Sequence, residues 1–235
     1  MKTVLFDLDG TLLPLDQEAF GKAYIFGMAK YMTPYGYDLQ ELIRGITVGT
    51  GAMVKNDGAV TNEELFWQCF SKTMGRDARV DEPYFEEYYR TEFQNVRQVC
   101  GFAPEAAEVI RFLKNAGCRV ALATNPLFPR IATHSRAVWA GLDPEDFDLI
   151  TTYDNSSRCK PNPDYYREVL AALGETPENC IMVGNDVQED MVAAGHAGLR
   201  GFLLTDCLIN RDNTDVSQIP QGGFRELLEY LKANI

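Results

Sequence analysis

The chain has 235 residues, enough for one large hydrophobic core or for a core with a smaller second domain. Its net charge is −12 and it has no cluster of lysine and arginine, which argues against a nucleic-acid partner. No run approaches the roughly 20 apolar residues of a membrane span, and the first residues lead directly into a strand instead of a signal peptide. The six cysteines are scattered, without the close pairs of a zinc site. Several lie in or beside apolar strands, which indicates reduced cysteines, so we expect a cytoplasmic protein.

The first predicted strand, Thr3–Leu8, ends in a pair of carboxylates. Asp7 and Asp9 lie on the same side of an extended chain, and Gly10 and Thr11 supply a sharp turn and a hydroxyl group. Two neighbouring anions at the end of a buried strand need a cation or a proton to separate them. A calcium loop is excluded because the next four residues are apolar where oxygen ligands are required. A solvated acidic turn stays open unless later residues complement the pair.

Helices replace strands between about residue 15 and residue 97. Four are predicted, each with a candidate capping residue near its start: Asp16–Met32, Asp38–Arg44, Asn62–Met74 and Pro83–Val96. A glycine-containing loop is predicted at Thr47–Gly51. Arg44, Lys55 and Asn56 beside this loop are candidate contacts for the polar end of a substrate, and a flexible surface turn is the open alternative.

Strands and helices alternate in the rest of the chain. The predicted strands are Arg119–Thr124, Leu149–Thr152, Cys180–Val183 and Gly201–Leu204. The predicted helices are Pro104–Asn115, Ile131–Ala140, Tyr165–Leu173, Met191–Ala197 and Phe224–Ala233. This alternation predicts an α/β fold with a doubly wound parallel sheet, in which ligands bind beyond the carboxyl ends of the strands.

Three segments at or after these strand ends complement the first acid pair. Thr124 offers a hydroxyl, and the N–H of Asn125 follows it, so both can hold a phosphoryl oxygen. Lys160 lies on a loop stiffened by prolines and makes a well-placed point charge. Asp186 and Asp190 are four residues apart and share one face if a helix begins there. Each segment alone is more simply explained as an ordinary turn, a surface lysine or acids at a helix start.

In this order the segments resemble the four motifs of the haloacid dehalogenase superfamily of phosphohydrolases. Asp7–Thr11 is similar to the first motif, Thr124 to the second, Lys160 to the third, and Gly184–Asp190 to the fourth. The four-residue spacing of the last two acids is also that of the family. The resemblance is to the phosphatase branch with a helical cap, which includes phosphoglycolate phosphatases.

The resemblance implies a Rossmann-like core formed by residues 1–14 and 98–235, with a helical cap domain at residues 15–97. It further implies an Mg²⁺-dependent phosphatase that acts on a small phosphorylated metabolite. In such an enzyme Asp7 is the nucleophile that forms an aspartyl-phosphate, and Asp9 is the general acid and base. The implied metal ligands are Asp7, Asp9 and Asp186. The implied phosphate-binding residues are Thr124, Asn125 and Lys160. The implied supporting residues are Asp190, Gly10 and Thr11.

Other functions stay open at this stage. A dehalogenase is disfavoured because its halide leaves without a proton, whereas Asp9 is retained here. A phosphomutase or a phosphonate hydrolase of the same superfamily is an alternative. A response-regulator receiver and a catalytically silent phosphate-binding protein are alternatives from other classes. No feature of the sequence indicates an oligomeric state.

Overall fold

The computed structural model describes residues 2–235, and it contains a six-stranded, all-parallel sheet in the order β3-β2-β1-β4-β5-β6. The strands are β1 (Thr3–Phe6), β2 (Arg119–Leu122), β3 (Leu149–Ile150), β4 (Cys180–Gly184), β5 (Arg200–Leu204) and β6 (Gln221–Gly222). The predicted α/β fold with a parallel sheet is confirmed. Strands β1 to β3 end two residues earlier than predicted, and β6 was not predicted because its two residues carry no apolar pattern.

Helices precede or follow each strand. They are α1 (Gln17–Met32), α2 (Leu39–Val54), α3 (Asn62–Met74), α4 (Glu82–Arg90), α5 (Pro104–Asn115), α6 (Arg130–Trp139), α7 (Pro163–Leu173), α8 (Ala193–His196) and α9 (Phe224–Asn234). The helix predicted at Pro83–Val96 is divided, because α4 ends at Arg90 and a 3₁₀ segment, Glu92–Val99, follows it. In the described residues no helix is long and apolar enough to cross a membrane.

The sheet is buried on both faces, as its continuous apolar strands require. In β1, Val4 and Phe6 belong to the hydrophobic cluster on one face, and Leu5 belongs to the cluster on the other face. The same alternation holds in β4, where Ile181 and Met182 point to opposite clusters. Because apolar side chains pack on both faces of the sheet, polar side chains can be placed only at the ends of the central strands.

Helix α2 corrects the predicted loop at Thr47–Gly51, which is helical throughout. Gly49 in this stretch and Gly45 one turn earlier allow a close contact between α2 and α3. A Cβ atom at Gly45 would lie 2.7 Å from the ring of Phe70, and one at Gly49 would lie 2.6 Å from the ring of Phe66. Tertiary packing therefore outweighs the low helix propensity of glycine here.

Candidate active site

Asp7 and Asp9 lie directly beyond the carboxyl end of β1. The Asp7 N–H donates to the Val183 carbonyl at 2.9 Å, which extends the β1–β4 ladder to the first carboxylate. The turn after Asp9 requires Gly10, which has a φ of 89°, and a Cβ there would lie 2.5 Å from the side chain of Asn185. The sheet and this turn together place both acids at the carboxyl edge, where ligands of such folds bind.

Thr11 ties the first acid to the segment after β4. Its Oγ1 lies 3.1 Å from Asp7 Oδ2 and 2.9 Å from Asn185 Oδ1, so its single proton is shared between two acceptors. Thr11 is buried. The hydroxyl predicted as a supporting group therefore contacts Asp7 directly.

Lys160 is the buried cation of the site. Its ammonium group donates to Asp7 Oδ1 at 2.8 Å and to Asp190 Oδ1 at 2.7 Å, and only 1% of its side chain is exposed. Burial lowers the pKa of Lys160, but the carboxylates of Asp190 and Asp7 together raise it by more. The pKa of Lys160 therefore lies well above its ordinary value. The lysine is therefore held charged between two acids, which is the complement that the acid pair needs.

Asp190 fixes this lysine from the other side. Its Oδ2 accepts the backbone N–H groups of Asn185 at 3.1 Å and Asp186 at 3.0 Å. Burial raises the pKa of Asp190 to about 7, against the opposing effect of the Lys160 ammonium group. Asp190 accepts four hydrogen bonds, from the Lys160 ammonium group, the Tyr166 hydroxyl and the two backbone N–H groups, and these favour its charged form.

Asp186 is the N-terminal cap of the segment that carries Asp190. Its Oδ1 accepts the N–H groups of Gln188 at 2.9 Å and Glu189 at 3.0 Å, and its Oδ2 pairs with Arg211 at 2.7 Å. The segment is a π-helical turn, Val187–Val192, and not the start of a regular α-helix. Such turns are frequent at functional sites. The Arg211 side chain is 57% exposed, so this cation is the accessible partner of Asp186.

Thr124 and Asn125 follow β2 and close the side of the site next to Lys160. The Thr124 carbonyl accepts the hydroxyl groups of Thr151 at 2.6 Å and Tyr165 at 2.9 Å, which fixes the backbone. Asn125 Oδ1 accepts the Lys160 N–H at 3.2 Å, and its Nδ2 donates to Glu189 at 3.2 Å. The Asn125 side chain therefore links the loop after β2 to the loop that carries Lys160.

Arg136, on α6, is a residue of the site that the sequence interpretation missed. Its guanidinium group forms an ion pair with Asp9 Oδ2, lies 4.3 Å from the ring centre of Phe128, and is fully buried. Asp9 Oδ1 is buried and has no hydrogen-bond partner among residues 2–235. Burial raises the pKa of Asp9, and Arg136 opposes that shift. The signal in the sequence was the helical position of Arg136, four residues from the small, buried Ala132 and Ala140.

One cavity of about 320 Å³ is lined by half of the predicted residues, whereas Gly10, Thr11 and Lys160 are buried outside its lining. Its lining includes Asp7, Asp9, Thr124, Asn125, Asp186 and Asp190. Arg44, Lys55 and Asn56 are not among its lining residues. Arg44 and Lys55 are exposed, and the Asn56 side chain is buried in hydrogen bonds to the Val60 carbonyl and Asn62.

The acids of this cavity suit a hard divalent cation better than a softer metal. Within residues 2–235, no three His, Cys, Asp or Glu side chains are grouped closely enough to enclose a metal ion by themselves. Asp7 and Asp186 nevertheless share the lining of one cavity, and both present only oxygen donors. Mg²⁺ is typically bound by one or two carboxylates and completes its shell with water and phosphate oxygens, so this donor set fits it.

The chain thus combines a parallel sheet, acids and a buried lysine at the carboxyl edge of that sheet, and a helical segment after the first strand. The chain belongs to the haloacid dehalogenase-like hydrolase family, whose model matches residues 1–198. The resemblance predicted from the four motifs is therefore confirmed.

Proteins that are similar to this chain in sequence include phosphatases. The chain is 29% identical over 218 residues to a phosphoglycolate phosphatase of Salmonella typhi, covering 87% of this chain and 81% of that protein. It is 25% identical over 228 residues to a glyceraldehyde 3-phosphate phosphatase of Methanothermobacter thermautotrophicus, covering 93% and 92%. The crystal structure of a HAD phosphatase from Thermococcus onnurineus matches with a TM-score of 0.59 at 21% identity, covering 98% of each chain, which shows the shared fold. Family and relatives together identify a phosphoric monoester hydrolase.

Proposed function

We propose that the chain is an Mg²⁺-dependent phosphatase that hydrolyses a small phosphorylated metabolite through an aspartyl-phosphate on Asp7. The observation that carries this proposal is the position of Asp7, which lines the acidic cavity while Lys160 and Thr11 hold one carboxylate oxygen each. A carboxylate fixed in this way has one defined orientation toward a phosphorus atom in the cavity. The proposed binding partner is this phosphorylated metabolite. The proposed compartment is the cytoplasm.

The nucleophilic step uses the residues around Asp7. The Asp7 carboxylate attacks phosphorus, the bond from phosphorus to the leaving oxygen breaks, and a water molecule later hydrolyses the aspartyl-phosphate. Thr124, the N–H of Asn125 and the Lys160 ammonium group are proposed to hold the phosphoryl oxygens, over which negative charge spreads in the transition state. Asp190 orients Lys160 through the 2.7 Å contact.

Mg²⁺ would be held by Asp7, Asp186 and the main-chain carbonyl of Asp9, the last by analogy with relatives. When bound, it would neutralise the charge of the carboxylates and of the phosphate as they approach. Arg211 now occupies Asp186 Oδ2, and its exposed side chain can leave that oxygen without disturbing the core.

Asp9 is proposed to donate a proton to the leaving oxygen and to take one from the attacking water. The raised pKa of Asp9 supports the first role because the group keeps its proton to a higher pH than an exposed aspartate does. Arg136 holds Oδ2, so the proton would be carried on Oδ1, which is buried and has no partner in the described residues. Arg136 is thus a positioning residue for Asp9.

Residues 15–97 are proposed to form a cap that closes over the cavity and excludes bulk water. Phe20, Gly21 and Tyr24 of α1 already line the cavity. A phosphomutase needs a group in the cap that delays water, and a histidine would suit. The two histidines, His134 and His196, lie outside this segment, which favours the phosphatase. The family match removes the receiver and the silent binding protein from consideration.

The direct test is release of inorganic phosphate from p-nitrophenyl phosphate and a panel of phosphorylated metabolites. We expect turnover with Mg²⁺, a loss of about 100-fold or more after EDTA treatment, and recovery when Mg²⁺ is added in excess. Unchanged turnover by the chelated protein would contradict the metal requirement. No phosphate release from any ester would contradict the proposed function.

Arg136→Met should affect esters according to how strongly their leaving group needs a proton. We expect kcat/KM to fall about 10- to 100-fold for an alkyl phosphate but less than about threefold for p-nitrophenyl phosphate, because p-nitrophenolate leaves without protonation. A merely structural effect would lower both values equally. Arg136→Lys should recover part of the loss. In an Asp9→Asn background, Arg136→Met should no longer change the ratio between the two esters.

A further inference from the structure

A second and larger cavity, of about 860 Å³, lies between the helical segment α1–α4 and helix α6. Tyr24 and Leu127 line both this cavity and the acidic cavity that contains Asp7. These two residues form the boundary between the two cavities, so the leaving group of an ester whose phosphate lies at Asp7 would reach the larger space by passing them. A two-carbon leaving group would fill only a small part of that space.

Aromatic rings form much of the wall. They are Tyr24, Phe66, Trp67, Phe85, Tyr89, Trp139 and Tyr153. Several of these rings pack edge to face. The ring centres of Phe66 and Trp67 are 5.4 Å apart with an interplanar angle of 80°, and those of Trp67 and Phe85 are 5.5 Å apart with an angle of 83°. Rigid aromatic walls favour flat, apolar ligand groups.

The charges around the cavity leave no surplus cation for an anionic ligand group. Three arginines and four carboxylates line it. Arg90 pairs with Glu86 at 3.1 Å, and Arg130 lies 3.6 Å from Asp154. The third arginine, Arg97, is exposed, where a single charge contributes little. A carboxylate or a second phosphate would therefore lose its hydration without gaining a dedicated partner.

Trp67 supplies one unused polar contact. The residue is only 4% exposed, and its Nε1–H makes no well-aligned hydrogen bond in the described part of the chain. The hydroxyl group of Tyr153 is a nearby protein acceptor, because the Trp67 N–H opposes the upward pKa shift that burial gives Tyr153. A buried donor without a partner is unfavourable, and a ligand acceptor would remove that cost. This N–H therefore points to a ring that carries a hydrogen-bond acceptor.

We infer that the larger cavity receives the leaving group, and that the substrate is the phosphomonoester of a bulky, uncharged alcohol with a flat ring bearing an acceptor. This inference rests on the proposed phosphatase function and narrows its substrate. Nucleoside monophosphates are esters of this chemical class. Phosphoglycolate, the substrate named for one relative, falls outside it because glycolate is small and anionic.

The first experiment compares 2-naphthyl phosphate with phenyl phosphate, whose leaving groups have similar acidity and differ mainly in area. We expect kcat/KM to be about tenfold higher for the naphthyl ester, because more apolar surface is buried. Thr50→Trp, which places bulk in the cavity from α2, should remove this preference. Phe26→Ala, which changes an aromatic residue of α1 that is 60% exposed, is the matched control and should keep it.

The second experiment uses Trp67→Phe, which keeps a ring and removes the N–H. We expect kcat/KM for uridine monophosphate to fall about tenfold while that for 2-naphthyl phosphate, which offers no ring acceptor, stays within about threefold. An equal loss for both esters would show a structural role of Trp67 only and would overturn the assigned hydrogen bond.

The outcomes separate this inference from the function on which it rests. Phosphate release from all esters, with phosphoglycolate preferred or with no effect of ring size, overturns the inference and leaves the phosphatase intact. No release from any ester, p-nitrophenyl phosphate included, overturns both. The expected ranking places 2-naphthyl phosphate and uridine monophosphate above phosphoglycolate.

Discussion

Asp7→Asn is expected to lower phosphatase turnover by about 10³-fold or more, because the variant removes the atom that forms the bond to phosphorus. An amide has nearly the same shape as a carboxylate, and its oxygen can still accept from Lys160 or Thr11. The protein should therefore remain folded. Circular dichroism and the thermal midpoint check the fold, and release of phosphate from p-nitrophenyl phosphate checks the activity.

The loss of turnover has to be separated from a general effect of removing one negative charge. Asp57→Asn is the matched control, because Asp57 is exposed and its side chain accepts a single hydrogen bond among residues 2–235, from the Ala59 N–H at 3.0 Å, which an amide oxygen can also accept. We expect it to keep the activity of the unmodified chain. Turnover by Asp7→Asn at the level of this control would refute the assignment of Asp7 as the nucleophile.

A covalent intermediate gives an independent observation on the same residue. Borohydride reduces an acyl phosphate to an alcohol, so protein quenched during turnover should carry homoserine at position 7. Peptide mass spectrometry would locate the change. Reduction at Asp9 instead of Asp7 would exchange the proposed roles of the two acids.

The sequence predicted the residues that follow the central strands because the carboxyl ends of parallel strands meet at one edge. Asp7, Thr124 and Asp186 are far apart in the chain, yet each lies one or two residues beyond its strand and lines one cavity. Lys160 was predicted from its stiff loop, and the structure adds its two acidic partners. For these residues, strand order alone largely determines proximity.

Contacts made across the interior were not predictable in the same way. Arg136 belongs to a helix whose other face is solvated, and an arginine is normally assigned to that solvated face. Its burial depends on Phe128 and Asp9, which approach from two other loops. Similarly, Gly49 suggests a loop until the Phe66 ring of α3, which occupies the space beside it, is known. Information of this kind lies in tertiary packing and not in local pattern.

Lys160→Met is expected to destabilise the fold as well as abolish activity. Asp7 and Asp190 would lose the ammonium group that now lies 2.8 Å and 2.7 Å from their oxygens. Removing one member of a buried ion-pair network leaves an uncompensated charge, which costs about 3–5 kcal/mol in unfolding free energy. Lys232→Met is the control, because that lysine pairs with Glu229 on the surface and should contribute less than about 1 kcal/mol.

The pH dependence of this loss tests its electrostatic origin. Without Lys160, burial is no longer opposed by the ammonium group, so the pKa of Asp190 should rise further above its already raised value of about 7. A carboxyl group whose pKa is higher in the folded state than in the unfolded state destabilises the fold increasingly as the pH rises toward that folded value. Urea unfolding should therefore show a larger gap between Lys160→Met and the unmodified chain at pH 8 than at pH 5.

A double variant separates the structural and the chemical contributions of Lys160. Lys160→Met with Asp190→Asn removes the cation and one of its two acids, so part of the lost unfolding free energy should return, because only Asp7 stays unpaired. Turnover should remain absent because no cation replaces the ammonium group beside the phosphoryl oxygens. Recovery of turnover along with stability would show that Lys160 acts only in folding, and that the phosphate is held by other groups.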